Sequence, residues 1–128
     1  MRLALTFAAL LATTAPAQPQ GQSGPFTVQE TGRGYASLQA AVSAIGEGRG
    51  AVKIAPGRYG DCAVQEAGEI TFVSEVPGKA IFDRAICEGK ATLVLRGRGA
   101  KVDGIVFMRT LVEDGNGAGI RLETGDLH

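Results

Sequence analysis

The chain has no tryptophan, aromatic residues make up 5% of it, and it has one histidine. The first two shortages remove the stacking platform that single-stranded nucleic acids use, and a broad sugar shelf of the tryptophan kind. The single histidine, His128, leaves no Ser-His-Asp or Cys-His arrangement that can be assembled. Excess charge is missing too. With 13 Lys and Arg against 13 Asp and Glu, nothing marks nucleic acid or an anionic membrane surface as a partner. Long apolar runs are also scarce, and the one at Leu3–Ala12 is too short to span a bilayer.

What is present is glycine. All 19 lie beyond Gln20, which calls for many tight turns rather than long helices. The chain of 128 residues suffices for one soluble domain. Its first segment, Met1–Ala17, has the parts of a secretory signal peptide. Arg2 supplies the positive start, Leu3–Ala12 the apolar run, and Ala15-Pro16-Ala17 a small-x-small cleavage site. Cleavage there removes one of the 13 basic residues, leaving 12 against 13 acidic and a net charge of −1. Residues 18–25, rich in Gln, Gly, Pro and Ser, then form a flexible leader. Export to the periplasm, cell surface or medium is the expectation.

From residue 26 onward the pattern is one of short strands and turns. Phe26–Val28 is a first strand, and Tyr35–Ile45 is the one helix. Leu38, Ala41, Val42 and Ile45 fall on one face, and Gly46 stands where a left-handed terminal residue is wanted. Val52–Ile54 and Ile70–Val73 then alternate apolar and polar, and Pro56-Gly57 and Pro77-Gly78 close each run. Leu93–Leu95 and Ile120–Leu122 continue the series. Second strands fall at Ala80–Phe82 and at Val102 with Ile105–Phe107. Strand, turn and strand repeated at a spacing near 20 residues points to stacked coils. The helix would cover the open first coil, whose unpaired backbone invites aggregation. Intervening helices, which a Rossmann-like sheet needs, are forbidden by the glycines at 97, 99, 104, 115 and 117.

Cys62 and Cys87, 25 residues apart, would lie on neighbouring coils. Strands stack ~4.8 Å apart, inside the reach of a disulfide. In an exported protein an even pair points to a disulfide. It would contribute roughly 3 kcal/mol by closing that loop. A catalytic thiol or half of a metal site would need a histidine beside it, and neither cysteine has one.

The helix, followed by VKIAPGRYGDC, ITFVSEVPGKAIFD, CEGKATLVLRG, VDGIVF and NGAGIRLETGDL, resembles the start of a right-handed parallel β-helix protein of the pectin-lyase-like superfamily. The likeness is closest to the exported bacterial β-helix repeat proteins, and it runs from Phe26 to His128. It implies an all-β fold, a right-handed parallel β-helix of about four rungs with one N-terminal capping helix, and residues 26–128 as the N-terminal part of that domain. Asp126-Leu127-His128 reads as the entry to another strand, so a longer protein is expected. The family's enzymes are polysaccharide lyases, hydrolases and esterases, and its other members are adhesins and surface proteins. The resemblance therefore implies an exported protein that binds or modifies a polysaccharide. The alternative is a non-catalytic structural or adhesive module.

Candidate chemistry is sparse in the sequence, and no catalytic residue, metal ligand or cofactor site is identifiable. The acidic residues Asp61, Asp83, Asp103, Glu113, Asp114 and Asp126 are scattered. Asp83 and Asp103 stand about one coil apart, with Arg84 and Lys101 nearby. Stacked carboxylates could act as acid and base in glycoside hydrolysis, against the plainer expectation that they end strands or make Asx turns. Asp114-Gly115-Asn116-Gly117 has part of a calcium loop but lacks the remaining ligands. Gly97-Arg98-Gly99 has part of a phosphate loop but no helix after it. Both are expected to be turns. Tyr35 and Tyr59 could stack on a sugar ring, though Tyr59, after the Pro56-Gly57 turn, is expected to pack between coils.

Overall fold

The computed structural model describes residues 23–128. The expected signal peptide at Met1–Ala17, and the expected leader up to residue 22, lie outside the described residues. The elements run β1 (Phe26–Val28), β2 (Arg33–Tyr35), α1 (Leu38–Ile45), β3 (Arg49–Ile54), β4 (Gly57–Tyr59) and β5 (Ala63–Gln65). They continue with β6 (Glu69–Ser74), β7 (Ala80–Asp83), β8 (Ala91–Leu95), β9 (Gly99–Asp103), β10 (Ile105–Met108), β11 (Ala118–Leu122) and β12 (Asp126–Leu127).

These strands make three sheets. One has six strands in the order β12-β9-β6-β3-β1-β2, and the others are β10-β7-β4 and β11-β8-β5. From β3 onward the chain visits the three sheets in rotation, and each strand pairs in parallel with the one three elements later. The register places Val52 beside Phe72 and Phe72 beside Val102. Strict alternation holds each register, since a slip of one residue would turn Val52 and Ile54 to solvent.

The space between the sheets is filled from all three. Phe26, Leu38, Val52, Ile54, Phe72, Ala80, Phe82, Leu93 and Leu95 are all at most 1% exposed. Four aromatic rings form a column through this core. Phe26 and Tyr59 lie 5.0 Å apart, Tyr59 and Phe82 5.3 Å, and Phe82 and Phe107 6.1 Å. Each such pair adds ~0.5–1.5 kcal/mol beyond the area it buries. Chain reversal at the corners uses backbone that only glycine tolerates well. Gly68 has φ +76° and lies against the carbonyls of Gly46 and Gly48, so a side chain there would be both strained and blocked.

The expected fold class is corrected by this topology. The six-stranded sheet is mixed, because β1 runs antiparallel to both β2 and β3, and the described residues form three separate sheets with one helix. An all-β, right-handed parallel β-helix of about four rungs does not describe that arrangement. The cause is local. Thr31 and Gly32 both donate backbone hydrogen bonds to the Val28 carbonyl, which turns β1 back as a hairpin onto β2. The series Val52–Ile54, Ile70–Val73, Leu93–Leu95 and Ile120–Leu122 is also divided. The first two runs lie in the six-stranded sheet, and the last two lie in β8 and β11 of another. Val102 belongs to β9 rather than to the strand of Ile105–Phe107. The helix starts at Leu38, not Tyr35, because the Ser37 hydroxyl accepts from the Ala40 amide as an N-cap.

The cysteine pairing is present. Cys62 and Cys87 are joined, with their Cα atoms 5.5 Å apart. The link ties the turn after β4 to the segment between β7 and β8. That segment lies over the outer side of β8, where Thr92 donates its hydroxyl to the Ala85 carbonyl at 2.6 Å. All five residues of β8 are consequently buried. Among the described residues no helix is long and apolar enough to cross a membrane.

Candidate anion-binding groove

Alternation in the six-stranded sheet determines what its outer face displays. Gly50, Val52 and Ile54 point inward, as do Ile70, Phe72 and Ser74. The register therefore lines up three outward rows running across the strands. Arg49, Glu69, Gly99 and Asp126 form the first row. Ala51, Thr71 and Lys101 form the second, and His128 follows the β12 pairing to stand beside Lys101. Lys53, Val73 and Asp103 form the third. Over the first two rows lies a groove of about 240 Å³, whose lining includes Arg49, Glu69, Thr71, Arg98, Lys101, Asp126 and His128, four basic side chains or imidazoles to two carboxylates.

Charge within the groove is partly committed. Glu69 accepts a hydrogen bond from Arg49 Nε at 2.8 Å and lies 3.9 Å from Arg98 Nε. Arg98 is further held by a 3.0 Å bond from its Nη1 to the Glu47 carbonyl. Lys53 and Lys101 make no ion pair among the described residues. No side chain of the middle row is a carboxylate. An anion approaching it meets Lys101 without first displacing a competitor, and ammonium groups of this kind bind carboxylate or sulfate as mobile point charges.

The other two charge clusters are self-satisfied. At one corner Arg96 contacts three glutamates. It bonds Glu66 at 3.0 Å, Glu123 at 2.5 Å and Glu88 through both Nη atoms. Lys90 adds a 2.7 Å bond to Glu123. The bonds from Lys90 and Arg96 push the Glu123 carboxyl down to about 2, and Arg96 likewise lowers Glu88. On the outer side of β7, Asp83 accepts from both nitrogens of an Arg109 fork and from Arg58 at 2.8 Å. Arg109 is the main cause of its lowered pKa. With a side chain only 9% exposed, this carboxylate accepts three hydrogen bonds from two arginines and is held as an ion-pair partner.

The pairing of Asp83 with Asp103 is not formed. Asp83 ends β7 in a three-stranded sheet, and Asp103 ends β9 in the six-stranded one. Equal spacing along the chain suggested equivalent positions, but the strands belong to different sheets. The remaining sequence candidates serve the fold. Asp61 accepts from the Leu38 amide at 3.0 Å, supporting the first turn of α1. Asp114 accepts from the Asn116 amide in an Asx turn, and Glu113 is exposed in the same loop. Gly97-Arg98-Gly99 turns the chain from β8 into β9. Tyr59 packs between Phe26 and Phe82, and its hydroxyl donates to the Ala55 carbonyl at 2.5 Å. Burial raises its pKa, and Glu75 and Asp61 add to the shift. Tyr35 is half-buried against the core. Neither tyrosine offers a face to a sugar. Among the described residues no three His, Cys, Asp or Glu side chains converge as metal ligands.

Of the groove residues, only Lys101 and Asp126, with Arg98 and His128, stood out in the sequence. Arg49, Lys53, Glu69 and Thr71 did not. The signal that could have found them is the alternation of β3 and β6, which assigns these four to the outward face. Comparison of the chain with protein-family models, with curated proteins and with solved structures found no match.

Proposed function

We propose that the protein acts outside the cytoplasm and binds an acidic polysaccharide across the outer face of its six-stranded sheet. One observation carries this reading: the row of Ala51, Thr71 and Lys101, free of acidic side chains and with Lys101 making no ion pair among the described residues, running across three parallel strands with His128 beside it. A ligand that follows such a row is extended and repeats along its length, as a polysaccharide does. Net cationic character along the row selects an anionic one. The Cys62–Cys87 disulfide fits an oxidising compartment, which is where such polymers are met.

Binding is what the geometry supports, because each carboxylate with a lowered pKa is already held by arginine or lysine. Retention on an acidic-glycan gel, or calorimetric titration with uronate oligosaccharides, tests it. Affinity should weaken several-fold when salt rises from 50 to 200 mM, as expected for exposed charge pairs. Lys101→Glu should reduce binding by at least about tenfold, the consequence of turning one attraction into a repulsion. Equal binding by this variant and the native chain would remove the groove from consideration.

A further inference from the structure

We infer that the groove prefers glycans carrying a carboxylate on every second sugar over those carrying one on every sugar, and that Glu69 enforces the choice. The inference rests on the polysaccharide reading of this face. Following the middle row strand by strand, its surroundings alternate. On β3, Ala51 is flanked along the strand by Lys53, which makes no ion pair among the described residues, and by Arg49, which is turned toward Glu69. On β6, Thr71 is flanked by Glu69 and Val73, with no cation on that strand. On β9 the row is Lys101 itself, with Gly99 on one side and Asp103 on the other. Attractive positions therefore recur on alternate strands, about 10 Å apart, which is two strand spacings.

The strand between them is not merely neutral. Glu69 presents a carboxylate there, and the nearest cations, Arg49 and Arg98, are both turned toward it, at 2.7 and 3.9 Å. An anion placed over β6 meets a like charge and has to compete for arginines already engaged. An extended glycan advances by roughly one strand spacing per sugar. A polymer with a charge on each sugar therefore sets one anion against Glu69 for every two that find a cation. A polymer with alternating charge lays its neutral sugar over Thr71 and Glu69, where hydroxyl and amide groups can hydrogen-bond both side chains. Discrimination of this kind comes from the repulsive element as much as from the attractive ones.

The test compares two probes on the full chain: a homopolymer of uronic acid, and a polymer alternating uronic acid with an N-acetylhexosamine, matched in length. The native protein should bind the alternating polymer about tenfold more tightly, the scale of one misplaced charge pair near a surface. Glu69→Gln should close most of that gap by tightening the homopolymer alone. Unchanged thermal unfolding of Glu69→Gln would show the fold intact, since the Arg49 pair it loses is exposed and weak. Equal native affinity for both polymers, or an unchanged ratio in Glu69→Gln, overturns the inference while leaving polysaccharide binding in place. Failure of both polymers to bind removes the inference and the polysaccharide reading together.

Discussion

The two ends of this core are finished differently. At one end the edge of β3 is covered by β1, whose strand pairs with it at Phe26, Thr27 and Val28. The edge of β5 is closed by a side chain. Gln39 on α1 donates to the Val64 carbonyl at 3.0 Å and accepts from the Val64 amide at 2.8 Å, so its carboxamide occupies the place of a neighbouring strand. Phe26, Leu38 and Val42 beneath these caps are at most 4% exposed. At the other end Ile105, Phe107 and Ile120 are half-buried, and Met108, Leu122 and Leu127 are 36–43% exposed. The same alternation of apolar residues builds both ends. Burial therefore depends on what stands over a strand as much as on the strand's own residues.

The largest expected effects compare the middle of the core with that second end. Phe72→Ala empties a site of zero exposure and should lower unfolding free energy by about 3–5 kcal/mol. Phe107→Ala, at the end of the aromatic column, should cost only about 1–2 kcal/mol because less area is recovered by solvent. Urea titration measures both, and equal losses would break the comparison. Next is the disulfide. Cys62→Ser with Cys87→Ser releases a 25-residue separation and should cost roughly 3 kcal/mol in the same titration. The link lies nearer the capped end in the chain but pins the segment covering β8. Hydrogen exchange in the double variant should therefore accelerate first in β8 and its cover, and last in β3 and β6.

Much of this was legible in the sequence, down to particular pairs. The outward-inward alternation of Val52–Ile54 and Ile70–Val73 and the parallel pairing of these runs followed from period and turn spacing. So did the partnership of Cys62 with Cys87. What failed was the assignment of later runs to sheets. Leu93–Leu95 looked like the next member of the series begun by Val52, but these three residues are all apolar and β8 is buried on both faces, so the run offered no alternation by which to place it. The next neighbour of Phe72 in its sheet is Val102, 30 residues on, which closeness in sequence groups instead with the strand at Ile105–Phe107. The hairpin of β1 and β2 was hidden because Arg33-Gly34-Tyr35 is too short and too polar to announce a strand. The groove was hidden for a related reason. Charges on an outward face follow no periodicity of their own, and only the register brings Arg49, Glu69 and Lys101 together.

A smaller effect tests the cap itself. Gln39→Ala removes two hydrogen bonds at the β5 edge and should cost about 1 kcal/mol, since water can replace them at an exposed site. Gln39→Glu separates the two bonds. A carboxylate can still accept from the Val64 amide but cannot donate to its carbonyl, so it should fall between the native chain and the alanine variant. Identical stabilities for all three would mean that this edge needs no cover.

The smallest effect is on pH dependence, and it bears on the less covered end. Glu123 follows β11 there, and its carboxyl is lowered to about 2 by Lys90 and Arg96, while a glutamate in an unfolded chain titrates near ~4.3. Between those values the unfolded chain binds more protons than the folded one, so stability rises with pH. The contribution is therefore complete above about pH 5 and is lost as pH falls through the window between ~4.3 and 2. Glu88 and Asp83, also lowered by arginines, add to the same slope. Glu123 and Glu88 are partly exposed, so their share of the change should be modest and should shrink in high salt. Hydrogen exchange at pH 3 should accelerate β11 relative to β3, because the corner cluster fastens β11 to β8 while β3 is held by a paired strand. Arg96→Gln should flatten the acid slope and remove that difference between the strands. If β3 and β11 open together at pH 3, the corner cluster does not fasten β11 to β8.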